Sequence, residues 1–167
     1  IIAGATLLIF MNTYDVSLTA ENNLRVSVFQ VATIITTTGF ATANFDLWPT
    51  FSKAILVLLM FIGACAGSTG GGLKVSRWVM SGKAMGSYVG SFLHPRGVRR
   101  VRFEEKDVED STLYAIFVYF MGVFFIFVVS MLVLALENMD LVSTFTAVAA
   151  TFNNIGPGLN LVGPTCN

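Results

Sequence analysis

Long apolar stretches alternate with short polar ones along this chain, and their lengths predict membrane helices. Leu113 to Leu136 holds no charged residue. At about 1.5 Å per residue it gives a helix of roughly 36 Å, enough to cross a hydrocarbon core of about 30 Å. Thr50 to Met80 predicts a second span, with Lys53 near one end, Lys74 and Arg77 near the other, and Pro49 marking its outer start. Ile1 to Met11 is too short to span and reads as the end of a longer helix. A signal peptide fits that start poorly, because neither a basic n-region nor a small-residue cleavage site flanks it.

Two shorter helix-compatible stretches, Leu24 to Ile35 and Leu141 to Phe152, each run into a polar segment whose fourth residue is glycine. The segments are TTTGFA, from Thr36 to Ala41, and NNIGPG, from Asn153 to Gly158. A shift of 117 positions superimposes Leu24 on Leu141, Val31 on Val148, Ala32 on Ala149 and Gly39 on Gly156. A duplicated helix, polar loop and glycine within an apolar chain is how a membrane protein can expose backbone carbonyls to an ion. The candidate filter residues are therefore Thr36, Thr37, Thr38, Gly39 and Phe40 in one loop, and Asn153, Asn154, Ile155, Gly156 and Pro157 in the other. Thr37, Thr38, Gly39, Asn154, Ile155 and Gly156 are the positions expected to hold a dehydrated potassium ion. Glycine permits positive φ there and lets neighbouring strands approach. Threonine hydroxyls and asparagine amides are further possible ligands, and Pro157 stiffens the exit from the second loop. Taken singly, TTTG is equally a turn and NNIGPG an ordinary polar loop; the matched context favours a filter.

Composition agrees with a bilayer environment: 54% of residues are hydrophobic and 12% charged, against a charged share of about 25% in soluble domains. Net charge is zero but unevenly spread. Lys74 and Arg77 at the inner end of one span, and Lys83, Arg96, Arg99, Arg100, Arg102 and Lys106 between it and the other, gather most of the basic residues. The positive-inside rule makes this connection cytoplasmic, so both candidate loops approach from the outer side. Attraction to anionic lipid headgroups is the ordinary use of such a run. Nucleic-acid binding is disfavoured, because aromatic residues are not interleaved and Glu104, Glu105, Asp107, Glu109 and Asp110 follow at once. The charge reversal suits a small turn or hairpin, with His94, Pro95 and Gly97 marking a bend before it. Cys65 and Cys166 are expected at different depths and hence as free thiols. Lone His94 suggests a surface residue rather than a metal ligand.

The second span is interrupted by GSTGGGLK, Gly67 to Lys74. Glycine costs about 1 kcal/mol relative to alanine in a helix, so continuous helix is disfavoured through Gly67, Ser68, Thr69, Gly70, Gly71 and Gly72. Broken backbone at membrane depth is tolerated where it is buried in protein or lines a watery cavity. Counted from Pro49 at 1.5 Å per residue, the break is expected about 27 Å deep, below the filter. It reads as a movable gate, with Lys74 at its end. A glycine cap at the inner interface is the plainer alternative. A nucleotide-binding P-loop is a third, weakened by Leu73 where that motif needs lysine and by the absence of a predicted preceding strand.

TTTGFAT (Thr36 to Thr42), GSTGGGLKVSR (Gly67 to Arg77), LHPR (Leu93 to Arg96) and FNNIGPGL (Phe152 to Leu159) together resemble the TrkH branch of the Trk/Ktr/HKT superfamily of potassium transporters. The likeness covers almost the whole chain. It implies an all-α integral membrane protein of helix, pore helix, filter loop and helix repeats around a potassium-channel-like pore. On that template residues 1–80 are a third repeat, with its first helix truncated, a pore helix at about 22–35, its filter at 36–40, and a second helix at 50–80 broken at 67–72 by the family's gating loop. Residues 81–110 are a cytoplasmic connection, and 111–167 a fourth repeat without its last helix. The resemblance implies potassium uptake as the pore-forming subunit of a multi-pass protein of the bacterial inner membrane, with no covalent cofactor and no enzymatic step. Its implied partners are membrane lipid, a second copy of the protein in a homodimer, and a cytoplasmic TrkA-type nucleotide-binding regulatory ring. A Ktr-like sodium-dependent potassium transporter is the near alternative.

Overall fold

The computed structural model describes residues 1–14, 19–63, 73–93, 102–103, 106–107 and 110–165. Six α-helices carry the described chain: α1 (Ile2–Asn12), α2 (Ala20–Ile35), α3 (Thr50–Phe61), α4 (Val75–Leu93), α5 (Asp110–Ala135) and α6 (Leu141–Phe152). The protein is a helical membrane protein, and α5 is the described helix long and apolar enough to cross a bilayer unaided. Its 26 residues reach about 39 Å at 1.5 Å each. Tyr114, Phe117, Phe124, Phe125, Leu132 and Val133 stand exposed along it, whereas Ile116 and Phe127 are buried. Water would penalise that outer apolar face, and lipid does not.

The inner faces make one core. Ala5 and Ile9 of α1, Val31, Ile34 and Ile35 of α2, Leu56, Leu59 and Met60 of α3, Phe127 of α5 and Val148 and Ala149 of α6 belong to a single cluster, joined by Phe45, Ile155 and Leu159 from the loops. Phe127 lies at its aromatic centre, with ring centroids 5.5 Å from Phe61, 5.3 Å from Phe145 and 6.4 Å from Phe152. Polar ties fix the first three helices. Thr13 and Asn23 exchange hydrogen bonds between the end of α1 and the start of α2, and Ser52 Oγ donates to Asn12 Oδ1 at 2.8 Å. Such bonds suit an apolar surrounding, where an unpaired polar group is costly.

The second span breaks earlier than the glycine run predicts. α3 leaves helical geometry at Ile62 (φ −94°, ψ 83°), after 12 residues or about 18 Å, short of the expected distance of about 27 Å. Two short strands account for this. β1 (Ile62–Gly63) and β2 (Leu73–Lys74) pair in parallel, Ile62 opposite Leu73 and Gly63 opposite Lys74. Their ladder satisfies backbone groups that the broken helix releases, as membrane depth requires. Trp78 Nε1 adds a hydrogen bond to the carbonyl of Phe61, at 3.2 Å. The expected gating residues Gly67, Ser68, Thr69, Gly70, Gly71 and Gly72 lie outside the described residues; Lys74 is in β2. The helix after the break runs past Met80 to Leu93, so the first part of the expected 81–110 connection is helical. Beyond it β3 (Arg102–Phe103) and β4 (Lys106–Asp107) pair antiparallel, as a hairpin requires. His94 and both cysteines also lie outside the described residues.

Candidate functional site

Both candidate loops begin with the same turn. After α2, the N–H of Thr37 bonds to the Ile34 carbonyl at 3.1 Å and that of Thr38 to the Thr33 carbonyl at 2.9 Å. After α6, Asn154 bonds to Thr151 at 3.1 Å and Ile155 to Ala150 at 2.8 Å. These are the two bonds of a Schellman ending, which takes up carbonyls a helix C-terminus otherwise leaves unpaired. The turn needs a left-handed residue, supplied by Thr37 (φ 56°) and Asn154 (φ 54°). Asparagine tolerates this conformation, but a β-branched threonine there is a genuine outlier. The loop hydrogen bonds hold it.

Two residues further on, Gly39 and Gly156 also have positive φ, 81° and 112°. Positive φ therefore recurs at alternate positions in both loops. The loops meet there. A Cβ on Gly39 would lie 2.0 Å from the Ile155 carbonyl oxygen, and one on Gly156 would lie 3.9 Å from Gly39 Cα. Glycine at 39 is thus demanded by both backbone conformation and the neighbouring loop. Ile155 and Pro157 are buried; Thr36, Thr38, Asn154 and Gly156 are exposed, as is Phe40.

Two of the loop side chains are tied back to their own helices. Thr36 Oγ1 bonds to the Ala32 carbonyl at 2.6 Å and lies 2.8 Å from the Thr38 hydroxyl. Asn153 Nδ2 donates to the Ala149 carbonyl at 2.8 Å, the counterpart of Ala32 in the repeat. Both cap side chains thus donate back onto their own helices, while Asn153 Oδ1 is buried without a hydrogen-bond partner among the described residues. The loops 36–40 and 153–157 carry no charge. What they do carry is the field of two helix C-termini, each equivalent to roughly half a negative charge, and a cation is favoured where such ends converge.

Sequence reasoning missed the side chains that hold the chain after each glycine. Buried Gln30 accepts from the N–H of Thr42 at 3.0 Å and of Ala43 at 3.2 Å with its amide oxygen turned toward them. In the second loop, Thr146 Oγ1 accepts from the N–H of Leu159 at 3.0 Å. Thr42 and Leu159 are repeat partners, yet Gln30 and Thr146 occupy adjacent, non-equivalent helix positions. A buried glutamine in an apolar helix was the available signal. Asp140 caps α6 by accepting from Ser143 N at 3.1 Å and from the Ser143 hydroxyl, and it accepts from Asn160 Nδ2 at 3.0 Å. The Ser143 hydroxyl, then its backbone N–H, then Asn160 hold this carboxyl below its ordinary pKa.

A nucleotide site at the break is not supported. A strand does precede the glycine-rich run, contrary to the sequence reading, but it is two residues long, and Leu73 falls in β2 rather than at a helix start. No group of three or more potential metal ligands occurs among the described residues.

Comparison with known proteins gives a consistent picture. Residues 5–164 match the family TrkH, described as cation transport protein. The Trk system potassium uptake protein TrkH of Salmonella typhimurium is 39% identical over 153 residues, which are 92% of this chain and 31% of that protein. Its Escherichia coli K12 counterpart is 37% identical over the same shares. The crystal structure of the potassium transporter TrkH from Vibrio parahaemolyticus superimposes with a TM-score of 0.89 at 34% identity, covering 100% of this chain and 36% of that one. The chain thus spans about a third of the length of these relatives.

Proposed function

This chain belongs to the TrkH family of cation transport proteins, and on that premise we propose that it contributes two of the filter strands of a potassium-uptake pore. The observation that carries the reading is the meeting of two repeat-related loops, each at a helix C-terminus and each with positive φ at its glycine. Main-chain carbonyls of Thr37, Thr38, Gly39, Asn154, Ile155 and Gly156 replace the hydration shell of a passing potassium ion. Thr36, Phe40, Asn153 and Pro157 frame them. No covalent step is involved, and potassium is the substrate.

The domain reading follows the same template: a third pore repeat up to residue 80, a connection over 81–110, and a fourth repeat from 111. Gly67 to Gly72, with Lys74, form a gating loop below the filter; the helix break and the pairing of β1 with β2 at its neck favour this use. The basic connection faces the cytoplasm of a bacterial inner membrane. Assembly as a homodimer on a TrkA-type nucleotide-binding ring, with this connection in the docking surface, belongs to the same reading.

The test is Gly39→Ser in a complete transporter that carries this segment. Potassium uptake should lose discrimination against sodium, measured as the ratio of the two uptake rates in cells lacking other potassium transporters. An unchanged ratio in a protein present at normal levels in the membrane would remove Gly39 from the ion path.

A further inference from the structure

The two candidate filter loops meet where Gly39 faces Ile155, Gly156 and Pro157, and contacts gathered at one point constrain their relative rotation less than a second, separate link would. A second link lies a short way beyond each glycine. The backbone N–H of Asn160 donates to Asp46 Oδ1 at 3.1 Å, across the two repeats. Asn160 is itself left-handed, with φ 55°. Its side-chain Nδ2 meanwhile donates to Asp140 Oδ2 at 3.0 Å, so the residue is held from α6 as well. The flanking N–H of Leu161 bonds to Ser143 Oγ at 3.2 Å.

Asp46 is set with equal care. Its N–H donates to Asn44 Oδ1 at 3.1 Å, its carbonyl accepts from Lys53 Nζ at 3.0 Å, and Asn44 Nδ2 reaches Thr165 Oγ1 at 3.3 Å. Gly163, the repeat partner of Asp46, makes room for the link. A Cβ there would lie 3.3 Å from Asp46 Oδ2 and 2.9 Å from the Asn160 carbonyl oxygen.

We propose that Asp46 and Asn160 form an outer brace that fixes the spacing and rotation of the two filter loops, making them positioning residues for ion selectivity. The inference rests on the filter reading given above. The brace works by the hydrogen bond and not by attracting cations. Asp46→Asn keeps an oxygen acceptor toward the Asn160 N–H; Asp46→Ala removes it. Gly163→Ala leaves every polar group in place but pushes a methyl into the brace.

The experiment measures the potassium-to-sodium uptake ratio in a complete transporter carrying this segment, with Gly39→Ser as the control for the filter itself. Asp46→Ala and Gly163→Ala should each lower the ratio by roughly two- to tenfold, the factor that one hydrogen bond represents. Asp46→Asn should stay within about twofold of the unmodified protein on the same scale. Should Asp46→Ala fail to reach the membrane, Gly163→Ala decides alone. A ratio altered by Gly39→Ser but unmoved by Asp46→Ala and Gly163→Ala overturns the brace and leaves the filter standing. A ratio unmoved by Gly39→Ser as well overturns the filter beneath it. If Asp46→Asn falls as far as Asp46→Ala, charge rather than position is at work, and the brace is again overturned.

Discussion

Replacing Gly39 by alanine puts a methyl group where the second loop already places an oxygen. The new Cβ would lie 2.0 Å from the Ile155 carbonyl oxygen, whereas non-bonded carbon and oxygen do not approach within about 3 Å, so the two loops must separate by roughly 1 Å. The left-handed backbone adds about 1–2 kcal/mol of strain for any residue with a Cβ. A misplacement of about 1 Å costs up to 100-fold where a group must be positioned for reaction. Other oxygens share the load in a filter, and we expect a fall of about tenfold in potassium-to-sodium discrimination, equivalent to about 1.4 kcal/mol. Gly156→Ala is the internal comparison. Its φ of 112° is as unfavourable for alanine, but its Cβ would meet nothing nearer than Gly39 Cα at 3.9 Å. The assay is the reversal potential of the complete transporter in bilayers with opposed potassium and sodium gradients. Selectivity preserved in Gly39→Ala, or lost more heavily in Gly156→Ala, would refute the argument that the contact between the loops sets the filter.

Two further outcomes follow from the packing and the capping hydrogen bonds, and a third from the glycine-rich sequence. Phe127→Ala should lower thermal stability in detergent by about 3 kcal/mol or more, because its ring packs on Phe61, Phe145 and Phe152; a loss under about 1 kcal/mol would mean that the aromatic cluster is loosely packed. Asp140 has a lowered folded-state pKa, so its contribution is fully present above the ordinary carboxylate range and fades as pH falls through the lowered value. The melting temperatures of the wild type and Asp140→Asn should therefore differ at neutral pH and converge in acid, and a pH-independent gap would count against the linkage. Deleting Ser68 to Gly71 should raise resting potassium flux if this loop plugs the pore, and wild-type flux with wild-type regulation would leave a helix cap as its role.

The repeat was legible because helix, polar loop and glycine recur at one spacing, and because a glycine at 39 and at 156 marks a backbone that other residues resist. Composition and the uncharged run of α5 made the bilayer equally plain. The extent of the broken helix was not legible. Glycine content placed the break at Gly67, but α3 ends at Phe61, where pairing of Ile62–Gly63 with Leu73–Lys74 takes the place of helix, and such pairing is a tertiary event that local propensity does not register. How the two cap side chains are held was not legible for a related reason. Thr36 and Asn153 each lie one turn from a helix carbonyl and donate to it, a bond set by the cap geometry rather than by residue type.

The repeats also show which parts of the site tolerate divergence. Thr37 and Asn154 share no side-chain chemistry but share φ within a few degrees, and the N–H groups of Thr42 and Leu159 are taken up by different residues from neighbouring helix positions. Backbone course is what the duplication retains, and side chains are free to vary provided each N–H finds an acceptor. A filter made of main-chain carbonyls has just this requirement, since its ligands are identical in every residue and only their direction is specific. A filter made of side-chain ligands would have kept the threonines or the asparagines in both loops. The divergence of TTTG from NNIG on a common backbone therefore argues for carbonyl coordination independently of the identity of either loop.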